Sequence, residues 1–138
     1  MKACIVDDDY TSRVLLGEFL KDQGWEVILF VHPDKPSENN NTLLHNELKD
    51  KNTKLLIMDV RFGRDTDELR LGLTSVKRLV ELKIIQSNCL VIFVSQFGRD
   101  HIEFTSVENI LKKNNIEFYW FDKPVDFVLL DEKIHQFH

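Results

Sequence analysis

The sequence predicts an α/β protein with a doubly wound (βα)5 architecture, a five-stranded parallel sheet between two layers of helices. Five short, β-branched-rich apolar runs alternate along the chain with segments whose apolar residues recur at helical spacing. Such alternation implies parallel strands joined by right-handed crossovers, with helices on both faces of the sheet. The length of 138 residues suits one domain able to bury a substantial core.

The first strand is predicted at Ala3–Val6, and a helix follows at Tyr10–Gln23. Leu15, Leu16, Phe19 and Leu20 fall on one face of that helix, and Gly24 stands where a helix needs its C-terminal cap. The second strand, Val27–Val31, runs into the breaker-rich stretch HPDKPSENNN, which delays the second helix to Leu43–Lys51. Lys54–Met58 is the third strand, and Leu69, Leu73, Val76, Leu79 and Val80 mark a third helix at Leu69–Ile84. The fourth strand is Leu90–Val94, followed by a helix at Asp100–Asn114 carrying Ile102, Val107, Ile110 and Leu111. Glu117–Phe121 is the fifth strand, and Phe127, Leu130, Ile134 and Phe137 give the last helix its apolar face.

Composition excludes several classes. With 43% hydrophobic and 30% charged residues the chain reads as soluble and folded, and no apolar run is long enough to span a membrane. The opening MKACIVDDD has too brief an apolar stretch for a secretory signal, so a cytoplasmic location is expected. Cys4 and Cys89 lie in apolar strand runs and read as reduced core thiols rather than a disulfide. A net charge of -5 without a basic stripe gives no electrostatic reason to bind nucleic acid directly.

The strands repeatedly end in polar residues. Val6 runs into Asp7, Asp8 and Asp9, Met58 into Asp59, Val94 into Ser95, and Phe121 into Asp122 and Lys123. Open α/β sheets bind ligands outside the carboxyl ends of their strands, so these residues converge on one site. Carboxylates crowded there repel one another unless a cation neutralises them, and oxygen-only ligands favour Mg2+. The competing reading of Asp7–Asp9 is that they cap the first helix, and for Asp9 that reading is the better one. Asp59, at the end of the apolar LLIMD, is the candidate nucleophile: a carboxylate can attack phosphorus to form an acyl phosphate. Its competing reading is an acid that starts a turn. Lys123, before Pro124, suits a phosphate as a point charge, and a cis Lys-Pro bond would aim it back across the site. Ser95 reads equally as a donor to a phosphoryl oxygen and as a turn former.

Taken together, IVDDD, LLIMD, VIFVS and FDKP resemble, in order and spacing, the receiver domains of two-component response regulators, over essentially all of residues 1–138. The resemblance implies the flavodoxin-like strand order 2-1-3-4-5. It implies that Asp7 and Asp8 hold Mg2+ with Asp59, the phosphoacceptor, and that Arg61 lends a backbone carbonyl to the metal. Ser95 looks like the switch hydroxyl, Lys123 like the phosphate-binding lysine, and Trp120 like the aromatic that turns inward on activation, though an ordinary strand aromatic reads as well there. The implied partners are a sensor histidine kinase or phosphotransfer protein upstream, a protein partner or output domain downstream, and a second copy of the chain. The implied role is a signalling switch that catalyses its own phosphorylation and dephosphorylation, not an enzyme acting on other substrates. Gly63 stands where many receivers have Pro, the loop FGRDTDELRLG is longer than usual, and Gln96 replaces a small residue.

Two other readings fit the same residues. A pseudo-receiver would bind partners without phosphorylation. A haloacid-dehalogenase-type phosphatase would use DDDYT as its Asp-x-Asp-x-Thr signature with Asp7 as nucleophile, leaving Asp59 idle.

Overall fold

The computed structural model describes residues 1–31, 43–60, 71–96 and 101–138, except for the side chains of 71 and 101–103. Five strands, β1 (Lys2–Val6), β2 (Glu26–Phe30), β3 (Thr53–Asp59), β4 (Leu90–Ser95) and β5 (Phe118–Asp122), form one sheet. All pairs are parallel and the spatial order is β2-β1-β3-β4-β5, as the resemblance implied. The helices are α1 (Tyr10–Asp22), α2 (Leu43–Lys49), α3 (Leu71–Glu81), α4 (His101–Lys113) and α5 (Phe127–Phe137).

Alternation along the strands builds two separate cores. Cys4, Val6, Leu56, Met58, Val91 and Phe93 face one way, against Leu44 and Leu48 of α2, Leu73, Val76, Leu79 and Val80 of α3, and Phe104, Val107 and Leu111 of α4. Ala3, Ile5, Leu55, Ile57, Leu90, Ile92 and Val94 face the other way, against Leu16 and Leu20 of α1 and Leu130 and Ile134 of α5. The central strands are buried on both sides, which is why they read as nearly unbroken apolar runs. Cys4 and Cys89 are both buried free thiols. Among the described residues, no helix is long and apolar enough to cross a membrane.

Three helices end by one device. After α1, α3 and α4 a residue turns left-handed, with φ of 90° at Gly24, 60° at Lys83 and 57° at Asn115. Beyond each turn the amide of Trp25, Ile84 or Ile116 donates back to the carbonyl of Leu20, Leu79 or Leu111, and the left-handed residue's own amide donates to Lys21, Val80 or Lys112. This is the Schellman arrangement, and each time the following apolar side chain is buried.

Two expectations need correction. Leu15 is 53% exposed while Leu16 and Leu20 are buried, because the buried stripe of α1 lies one residue further round the helix. The third helix ends at Glu81 rather than Ile84: Ile84 and Ile85 are buried, but the left-handed Lys83 has already turned the chain out of the helix.

Candidate functional site

Strand order creates the site. The chain leaves β1 for the edge strand β2 and returns on the far side of β1 to lay down β3, so β1 and β3 flank the point where the winding reverses. Val6 pairs with Met58, which sets Asp7 directly across from Asp59, and strand parity aims both side chains the same way. Ser95 pairs with Asp122, and the Lys123 amide extends that ladder by donating to the Ser95 carbonyl at 2.8 Å. Asp7, Asp59, Ser95 and Lys123 thus meet at the carboxyl ends of β1, β3, β4 and β5.

Asp7 and Ser95 are 0% exposed and Asp59 is 4% exposed, whereas Asp8 is exposed. The Lys123–Pro124 bond is cis, as the sequence suggested. The Lys123 ammonium lies 2.9 Å from Asp7 Oδ2 and 3.3 Å from Asp59 Oδ2, and it donates to Asp7 Oδ1 at 3.2 Å. Burial works against that charge, but the carboxylates of Asp59 and Asp7 outweigh it and hold the lysine pKa above its usual value. Asp7 Oδ1 also accepts the Asp9 amide at 2.9 Å. Asp7 Oδ2, fully buried, has no directed hydrogen-bond donor, and its contact with Lys123 is an ion pair.

One ammonium therefore faces two buried carboxylates, and the exposed Asp8 stands beside them. One oxygen from each of Asp7, Asp8 and Asp59 lies within 4.8 Å of the others. An oxygen-only donor set with one buried, undonated oxygen suits a hard divalent cation. Asp9 stands apart: it is the N-cap of α1, accepting the Ser12 amide at 3.3 Å, as the sequence favoured. Arg61 and Gly63 lie outside the described residues, and Gln96 is exposed beside Ser95.

Trp120 is half-buried. Its ring stands edge-on to Phe104 at 4.8 Å and lies 6.1 Å from Phe93, and its indole N–H donates to Asp122 Oδ1 at 3.2 Å. It thereby ties β5 to α4 and to the residue preceding Lys123.

Two residues at the site escaped the sequence reading. A Cβ on Gly72 would collide with the Asp59 carbonyl oxygen and lie 2.9 Å from Val60 Cα, so only glycine lets the first turn of α3 seat against the end of β3. The Gly72 amide donates to the Val60 carbonyl at 3.2 Å. Arg13 reaches back from α1 to donate through Nη1 to the Asp7 carbonyl at 2.8 Å. A glycine at the start of a predicted helix was the available hint for Gly72, whereas an arginine on an amphipathic helix gives no hint of such a contact.

No family model and no curated protein matches the sequence. Solved structures do match in fold. A CheY-like response regulator receiver domain protein from Methanospirillum hungatei JF-1 is similar over 98% of this chain and 90% of its own, with a TM-score of 0.64 at 17% identity. The Vibrio cholerae chemotaxis protein CheY4 is similar over 99% of this chain and 98% of its own, with a TM-score of 0.66 at 18% identity. The N-terminal domain of a response regulator/sensory box/GGDEF 3-domain protein from Carboxydothermus hydrogenoformans is similar over 99% and 93%, with a TM-score of 0.65 at 14% identity. The fold of this chain is thus that of response regulator receiver domains.

Proposed function

We propose that residues 1–138 act as one phosphoacceptor receiver domain, in which Asp59 takes a phosphoryl group from the phosphohistidine of a sensor kinase or phosphotransfer protein. The observation that carries this reading is the Lys123 ammonium held between the buried carboxylates of Asp7 and Asp59, at the switch point of a receiver-type sheet. Asp59 Oδ attacks phosphorus in line, the bond to the donor histidine nitrogen breaks, and Asp59 becomes an acyl phosphate. Lys123, already at the site with its charge secured, is placed to meet the new phosphoryl oxygens, and the Ser95 hydroxyl is the second donor. Asp7, Asp8 and Asp59, with the backbone carbonyl of Arg61, are the groups that would hold Mg2+. The ion, when bound, neutralises charge on the group being transferred.

Recruitment of Ser95 and Lys123 towards the phosphoryl group pulls on the ends of β4 and β5. Trp120, joined to Asp122 and Phe104, carries that change to the α4, β5 and α5 surface, where a downstream protein, an attached output domain or a second copy docks. The output arrangement named for the Carboxydothermus relative belongs to that protein, and an output partner of some kind is part of the proposal here. The role is a cytoplasmic signalling switch. The phosphatase alternative is disfavoured by Asp9, the second acid of its signature, which caps α1 instead of facing the site.

Incubation with acetyl phosphate and Mg2+, followed by intact mass, tests the reading. One phosphoryl adduct on the parent, absent from Asp59→Asn, is the expected result. A folded parent that takes no adduct would move the protein to the phosphorylation-independent class.

A further inference from the structure

Asp7 is hydrogen-bonded at its amide, its carbonyl and one carboxylate oxygen, which leaves Oδ2 for a cation. Its amide donates to the Phe30 carbonyl of β2 at 3.0 Å, and its Oδ1 accepts the Asp9 amide and the Lys123 ammonium. Its carbonyl lies beyond the last paired residue of β1 and accepts the Arg13 guanidinium at 2.8 Å. The peptide between Asp7 and Asp8 takes its orientation from that carbonyl, and with it the direction in which Asp8 leaves the strand. Arg13 is itself well anchored: its backbone amide donates to the Asp9 carbonyl at 3.0 Å and its guanidinium lies 5.7 Å from the Tyr10 ring.

We propose that Arg13 is a positioning residue of the acidic centre, holding the Asp7–Asp9 turn in the conformation that presents the Asp7 and Asp8 carboxylates to Mg2+. The inference rests on the reading of Asp7, Asp8 and Asp59 as a Mg2+ site. Arg13 makes its contact to a carbonyl, away from the metal-facing oxygens, in the way that outer partners orient metal ligands. A planar fork fixes the direction of its acceptor, which a lysine ammonium does not.

The sign of the effect separates this role from a simple charge effect. A cation beside a metal site repels the metal, so removing it for electrostatic reasons alone would tighten Mg2+ binding. Loss of an orienting partner weakens binding, commonly by about 10–100-fold.

The test titrates the full chain with Mg2+ by calorimetry, comparing the parent with Arg13→Met and Arg13→Lys, each well below its metal-free melting temperature. Arg13→Met, which keeps the apolar stem and loses the donor, is expected to weaken Mg2+ by about 10-fold or more. Arg13→Lys, which keeps the charge and gives up the fork, is expected to fall between. Mg2+ affinity that is unchanged or tighter in Arg13→Met overturns the proposal; if that variant does not fold, parent-like affinity in Arg13→Lys overturns it. A parent that binds no Mg2+ removes the metal-site reading together with this one, whereas a parent that binds while Arg13→Met binds equally removes this one alone.

Discussion

Three consecutive aspartates occupy three different environments because the backbone changes state beneath them. Asp7 still belongs to the sheet ladder through its amide and is fully buried, Asp8 faces out at the rim, and Asp9 has the extended conformation of an N-cap, with φ of -82° and ψ of 115°. The sequence DDDYT made a cap by Asp9 and a site at Asp7 compatible, but the division of roles depends on where β1 stops. At the opposite end of β1, Lys2 lies 2.6 Å from Asp50 and 2.9 Å from Glu47. Hydrogen bonds that Lys2 donates to Asp50 and then to Glu47 hold the Lys2 pKa above the usual lysine value, and the bond accepted from Lys2 holds the Asp50 pKa below the usual carboxylate value. A raised lysine pKa contributes stability that is complete below the unfolded lysine value of about 10.4, and a depressed aspartate pKa contributes stability lost below about 3.9. The melting temperature of Lys2→Met should therefore sit below the parent's by a constant margin from pH 5 to 9, and that margin should shrink as the pH falls below 4. A margin that instead widens in acid would show that the pair does not act in this way.

Element ends were the part of the fold least legible in the sequence. Gly24 announced the end of α1, since glycine is the usual residue at a left-handed cap. Lys83 and Asn115 do the same work after α3 and α4 with side chains that give a weaker signal, so the apolar period carried the predicted third helix past its true end. A non-glycine residue in the left-handed region carries a conformational cost that glycine escapes. Lys83→Gly should therefore stabilise the protein by about 0.5–1 kcal/mol, even after the greater freedom of glycine in the unfolded chain is counted. Urea denaturation reads this directly: the midpoint should rise with an unchanged slope, and a lower midpoint would mean that the Lys83 side chain supplies more than its backbone costs.

At the scale of the whole molecule, two cores share one sheet, so neither helix layer is independent of the other. Cys4, in β1, and Cys89, just before β4, are buried in the same core, and burial pushes both thiols up to about 12. Only a thiolate reacts with a disulfide reagent, and here neither ionisation nor access is available in the folded state. Both thiols should resist such a reagent at pH 8 and become labelled at one common rate set by global unfolding, as counted by intact mass over time. Faster labelling of Cys89 would reveal separate opening at the start of β4. The alternation of apolar strand runs with helical periods, and the polar residues closing four of the strands, follow from local chain properties. The sequence by itself therefore determined the element order, the two-sided burial of the sheet and the gathering of Asp7, Asp59, Ser95 and Lys123 at the carboxyl ends of its strands. Tertiary structure alone decided the opposition of Asp7 and Asp59, the bridging ammonium of Lys123, the seat that Gly72 leaves for the end of β3, and the reach of Arg13 to the Asp7 carbonyl. These depend on strand register and helix placement, which are set by contacts between residues far apart in the chain and so leave no local pattern to read.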